Sequence, residues 1–144
     1  MKWEALKIFI KKPIYEKFHL IKISAYVAWY RFFILSFSFK KLSKKLGELN
    51  TIPLQADSKP ETFNLADKIR HVSQVVPWES KCLVQAVVAK ILLRKRGIES
   101  TLYLGVRKAE DGSSLEAHAW LDVGNQTILG GDVSDQFTVV SSYT

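Results

Sequence analysis

The feature of this sequence that most restricts its fold is a change of hydrophobic period at Gly97. Before it, residues 81–96, KCLVQAVVAKILLRKR, place Leu83, Ala86, Val87, Ile91 and Leu92 on one side of a helix. Arg94, Lys95 and Arg96 suit the negative end of a helix dipole, and glycine is the residue type that commonly ends one. Beyond Gly97 the apolar residues alternate. That pattern predicts a strand at 100–106, a polar turn at 109–114 around Asp111-Gly112, and a second strand at 115–123. A tight turn at Gly124-Asn125, a third strand at 127–129 and a fourth at 136–140 complete it. Helices followed by an antiparallel sheet make an α+β chain.

Upstream, Trp3, Leu6, Phe9, Ile10, Ile14, Phe18 and Ile21 recur at helical spacing, with Pro13 either starting a new helix or kinking one. Residues 24–39, SAYVAWYRFFILSFSF, are apolar apart from Arg31 and a few serines. At about sixteen residues the run is shorter than the roughly 20 that cross a bilayer, so a buried helix is expected. The alternative is an interfacial helix flanked by Lys40, Lys41, Lys44 and Lys45. From Leu49 to Glu61 the chain turns polar, with Pro53 and Pro60. The expected organisation is a basic helical subdomain at 1–50, a linker at 51–63 and a mixed helix-and-sheet domain at 64–144. Asn64 to Val72 reads as a helix capped by Thr62 or Asn64 and ended by Val75-Val76-Pro77.

With 144 residues, 47% of them apolar, the chain is long enough to bury a sizeable core. One cysteine excludes an internal disulfide framework and a multi-cysteine metal site, and no cofactor is implied. The first residues do not resemble a cleaved secretory signal, so a cytoplasmic, reducing location is expected. The net charge of +7 is uneven: residues 1–50 hold eleven Lys and Arg against three Glu, and the remainder is slightly acidic. Such asymmetry suits an acidic partner or a membrane surface, or simply a solvated lysine face. Nucleic acid is disfavoured, because the lysines lack interleaved aromatics on a recognisable platform.

Cys82 stands where the strongest helix begins, with Ser80 as the expected N-cap and Cys82 at the second helical position. The unpaired amides and partial positive charge of a helix start favour a thiolate, the nucleophilic form of cysteine. A base is also needed. His118 is the candidate, on the second strand between Ala117 and Ala119, whose small side chains let the Cys82 helix approach the sheet. His19 and His71 lie in helical contexts without such surroundings.

An acceptor must hold the base in its working tautomer. Asp122 lies four residues along the strand, about 13 Å away and too far for direct contact. Asp132 falls opposite His118 if the hairpin loop has three residues, and faces away if it has two, unless Gly130-Gly131 hosts a bulge. The Cys82 amide is a candidate oxyanion donor, with Gln74 or Gln85 as side-chain donors and Trp78 and Trp120 as walls. Three readings compete. Cys82 is a peptidase nucleophile, or the thiol of an acyl- or amide-transferase, or a buried residue of a non-catalytic module that binds a peptide, a membrane or a partner.

The blocks PWESKCL, LLRKRGI, a strand ending LGV, and EAHAWLDVGNQTILGG, in that order, resemble the transglutaminase-like leader peptidases of lasso-peptide biosynthesis, the microcin-processing family. The resemblance covers about residues 75–140 and implies a transglutaminase-like, papain-related core with a Cys-His-Asp triad. It implies Cys82 as nucleophile and His118 as base, then acid. Glycines stand where some relatives carry the aspartate, which leaves Asp132 as the nearest substitute and a dyad as the alternative. The implied activity is removal of the leader from a ribosomally made precursor peptide. The implied partners are that precursor, a separate leader-recognition protein and an asparagine-synthetase-like cyclase that closes the macrolactam.

Overall fold

The computed structural model describes the backbone of residues 2–51, 59–78 and 80–144, with side chains from residue 7 onward. The side chains of Trp3 and Leu6, most of the expected linker (52–58) and Glu79 lie outside the described residues.

Proline has no N–H to give a preceding turn and presets φ for a helix start. Accordingly Pro13, at φ −59°, separates α1 (Lys2–Lys11) from α2 (Ile14–Ser36) rather than kinking one helix. Leu20, Ile23, Val27 and Tyr30 of α2 are buried at three- and four-residue spacing. The buried helix expected at 24–39 is therefore only half buried. It starts ten residues earlier, and Trp29, Phe32 and Leu35 stand 58–70% exposed on its other side. A short α3 (Phe39–Leu46) buries Leu42 and Leu46 and turns its lysines outward.

Helix α4 (Pro60–Val75) begins at a proline in its first turn, with Lys59 as N-cap. Thr62 is not the cap. It lies inside the first turn, and its hydroxyl donates to the Lys59 carbonyl at 2.7 Å. Helix α5 (Cys82–Arg94) is the most enclosed element, with Val84, Ala86 to Lys90, Leu92 and Leu93 buried. Its end matches the glycine signal: Gly97 adopts φ 71°, and the Ile98 amide donates back to the Leu93 carbonyl at 3.1 Å.

The sheet is antiparallel throughout, with strands β1 (Thr101–Lys108), β2 (Leu115–Val123), β3 (Gln126–Leu129) and β4 (Thr138–Tyr143) in the order β3-β2-β1-β4. Val123 pairs with Gln126, so the hairpin loop is the two-residue Gly124-Asn125 turn. A register shift then pairs Asp122 with Thr127 but Leu121 with Leu129, leaving Ile128 as the extra residue of a bulge. Strand β3 ends there. A 3-10 helix, Gly131–Gln136, occupies ground where the fourth strand was expected to start, and β4 runs later than anticipated.

Leu102, Ala119, Leu121 and Val123 share the sheet face toward α5. One hydrophobic cluster joins them to Leu20, Ile23 and Val27 of α2, Leu42 and Leu46 of α3, and Leu65, Ile69 and Val72 of α4. Complete burial of each such Leu, Ile or Val contributes roughly 1.5–3 kcal/mol. The basic N-terminal helices thus pack into the same core as the sheet.

Candidate active site

The first α5 backbone bond is Gln85 N–H to the Lys81 carbonyl, so the amides of Cys82, Leu83 and Val84 come before the intrahelical ladder. Lys81 is the N-cap, and Cys82 is the first helical residue rather than the second. Ser80 does not cap the helix because its hydroxyl is engaged elsewhere, 3.0 Å from Ser73 Oγ. Gln85 braces the same turn by donating Nε2–H to the Ser80 carbonyl at 2.9 Å. That bond uses its amide to hold the approach to Cys82, not to face an oxyanion. Gln74 is exposed on α4.

Cys82 and His118 line one apolar cavity of about 280 Å³. Its remaining walls are Phe39, Leu83, Val140 and the stretches Leu104–Val106 and Ala117–Ala119. Ala117 and Val140 are exposed, so the hollow opens to solvent along the end of the sheet. No hydrogen bond joins the thiol to the imidazole.

The alternation of β2 sends Ala119 and Leu121 toward α5, and His118 and Trp120 to the opposite face. There the two rings stack with centroids 6.1 Å apart, and Phe137 lies 5.1 Å from the imidazole. Gly105, paired with His118, makes this packing possible. A Cβ there would come within 2.8 Å of both Phe137 Cβ and Trp120 Cζ3.

The acceptor for the imidazole is a backbone atom. His118 Nε2 lies 2.7 Å from the Gly130 carbonyl oxygen. A carbonyl can only accept, so Nε2 carries a proton, and the neutral tautomer that fits this contact has its lone pair on Nδ1. Gly130 can occupy this position because it has no side chain. Its φ is 74°, and a Cβ would fall 2.6 Å from the Ala119 carbonyl oxygen. Since β3 stops at Leu129, the chain turns at Gly130 beside the edge of β2 that β3 leaves unpaired.

The two carboxylates sit elsewhere. Asp132 is exposed in the first turn of the 3-10 helix and makes no hydrogen bond to His118. Asp122 lies between Thr101 and Thr127, farther along β2. Burial pushes its carboxyl above the usual range, a hydrogen bond from the Thr127 side chain opposes the rise, and Oδ1 has no partner. Trp120 is buried against Tyr103, centroids 5.6 Å apart, on the His118 side. Trp78 packs against the core with its buried Nε1–H unpartnered.

The description of the transglutaminase-like superfamily matches residues 30–142. The chain belongs to that superfamily. Its members are typically cysteine peptidases and acyltransferases, and the helices plus four-stranded antiparallel sheet seen here make a transglutaminase-like α+β domain. Comparison with curated proteins and with solved structures gives no match.

Sequence reasoning missed Gly130 as the acceptor, Gly105 as the seat for Trp120 and Phe137, and Phe39 and Val140 as cavity walls. Gly105 had a signal, because a glycine inside a strand pattern marks a close approach. The others depend on where β3 stops and on how distant segments fold back.

Proposed function

We propose that this transglutaminase-like protein is a cysteine peptidase that removes the leader from a ribosomally synthesised lasso-peptide precursor. The observation that carries the chemistry is Cys82 at the first residue of α5, on an apolar cavity walled by the β2 stretch that bears His118. The substrate class rests on the resemblance of residues 75–140 to the leader peptidases.

The precursor lies in the apolar groove, and the Cys82 sulfur attacks the carbonyl at the leader–core junction. The first-turn amides, that of Cys82 foremost, hold the oxyanion. His118 takes the thiol proton on Nδ1 and delivers it to the departing core amine. The Gly130 carbonyl stabilises the imidazolium through Nε2–H, the part an aspartate plays in a triad. Water then cleaves the thioester and releases the leader. In the free protein the imidazole stands on the sheet face away from α5, so turnover requires the His118 segment to rearrange at the open end of the sheet as the precursor binds.

The test is a reconstituted cleavage assay with precursor and recognition protein, followed by mass spectrometry. Cys82→Ala is expected to lower leader removal by at least about a thousandfold. Turnover retained in that variant would end the proposal.

A further inference from the structure

Helix α2 is apolar on two sides, and the protein's own core covers one of them. On the other, Ile14, Phe18, Ile21, Ala25, Ala28, Phe32 and Leu35 recur at alternating four- and three-residue spacing, which lines them up along one face. Ile14 is 71% exposed, Phe18 68%, Phe32 58% and Leu35 70%, with Trp29 beside the row at 60%. At 1.5 Å per residue the row runs about 32 Å. Exposed apolar surface of this extent on one element marks an interaction site.

Charge indicates what covers it. By helical spacing Lys17 and Lys22 border the row on opposite sides. Lys11 precedes it, and Lys40, Lys41, Lys44 and Lys45 follow. Among the described side chains of residues 7–46 the only carboxylate is Glu16, held by Lys12 at 2.9 Å. A second copy of the chain would bring these lysine borders against each other. The row is the convex side of a single helix, whereas protein partners that take a helix do so in a groove. A flat anionic surface fits both the lysines and the convex apolar row, with tryptophan at the level where bilayers enrich it.

We infer that the outer face of α2 docks the protein on the surface of an anionic lipid bilayer, the helix lying in the plane of the interface. Among the described residues no helix is long and apolar enough to cross a membrane, so this is surface attachment. The inference is independent of the Cys82 chemistry.

The experiment is co-sedimentation of the full chain with phosphatidylcholine vesicles, with and without about 30% phosphatidylglycerol. Binding to the anionic vesicles, weakened by salt, is expected. Ile21→Glu with Phe32→Glu should lower the bound fraction by about tenfold or more, with an unchanged circular dichroism spectrum. Brominated acyl chains should quench tryptophan emission of the unmodified protein, and Trp29→Phe should remove the quenched component. No binding to anionic vesicles, or no bromine quenching, would overturn the inference. So would a dimer in solution that the double variant converts to monomer, because a second copy would then own this face.

Discussion

In the proposed mechanism the third functional atom is a main-chain oxygen, which changes what mutagenesis should find. Because the Gly130 carbonyl is the acceptor for His118, no carboxylate needs to orient the imidazole. Asp132→Asn and Asp122→Asn should each leave leader removal within about threefold of the parent, where loss of an orienting aspartate costs about ten-thousandfold. Steady-state kinetics on both variants checks this, and a collapse in either would reinstate a carboxylate. Gly130→Ala should damage both stability and turnover. It places a Cβ at φ 74° and 2.6 Å from the Ala119 carbonyl oxygen, a strain of about 2 kcal/mol or more. Urea denaturation reads the stability term. A fall in kcat with little change in KM would mark the displaced carbonyl as a positioning group rather than a binding one.

Helix α5 carries the proposed nucleophile, and its first turn is braced from outside the helix. The N-cap residue Lys81 makes no side-chain cap bond, and among the described residues Gln85 on the Ser80 carbonyl and the Ser73–Ser80 hydroxyl pair hold the approach. Gln85→Leu removes one neutral hydrogen bond. It should cost about 1 kcal/mol in urea denaturation. It should also lower kcat more than KM, because the Cys82 backbone loses its brace while the groove walls stay. Activity unchanged at reduced stability would make the bond structural only. The helix itself was legible from Leu83, Ala86, Val87, Ile91 and Leu92, and its stop from Gly97. Its cap was not, because Ser80 has the right chemistry for an N-cap and is drawn away by Ser73, seven residues earlier.

At the scale of the whole molecule, the core encloses one basic side chain among the described residues. Lys90 of α5 is 3% exposed and donates to the Ser100 carbonyl. Burial, with Arg94 adding to it, lowers its ammonium pKa from 10.5 to about 8. The folded protein therefore holds this proton less tightly than the unfolded chain does, so stability should rise as pH climbs from about 8 toward 10.5. Burial raises the Tyr30 and Tyr103 hydroxyls above 10.0, so their effect is constant below about pH 10 and begins to lower stability from there upward, opposing the last part of the rise. Thermal unfolding between about pH 7.5 and 9.5 should show the rise, and Lys90→Met should flatten it. A slope unchanged in that variant would assign the effect to another group.

By itself the amino-acid sequence determined what local periodicity and residue chemistry can determine. Those were the helix-then-sheet order, a helix start within one residue of Cys82, the strand bearing His118 between two small residues, and the turn at Gly124-Asn125. Tertiary structure alone decided which oxygen meets the imidazole, since that depends on a bulge at Ile128, a strand ending at Leu129 and a left-handed Gly130. It also decided which apolar side of α2 is covered. A helix apolar on two faces carries no local mark of which one the core will claim, and only the packing of α4 and α5 against Leu20, Ile23 and Val27 leaves Phe18 and Phe32 facing outward.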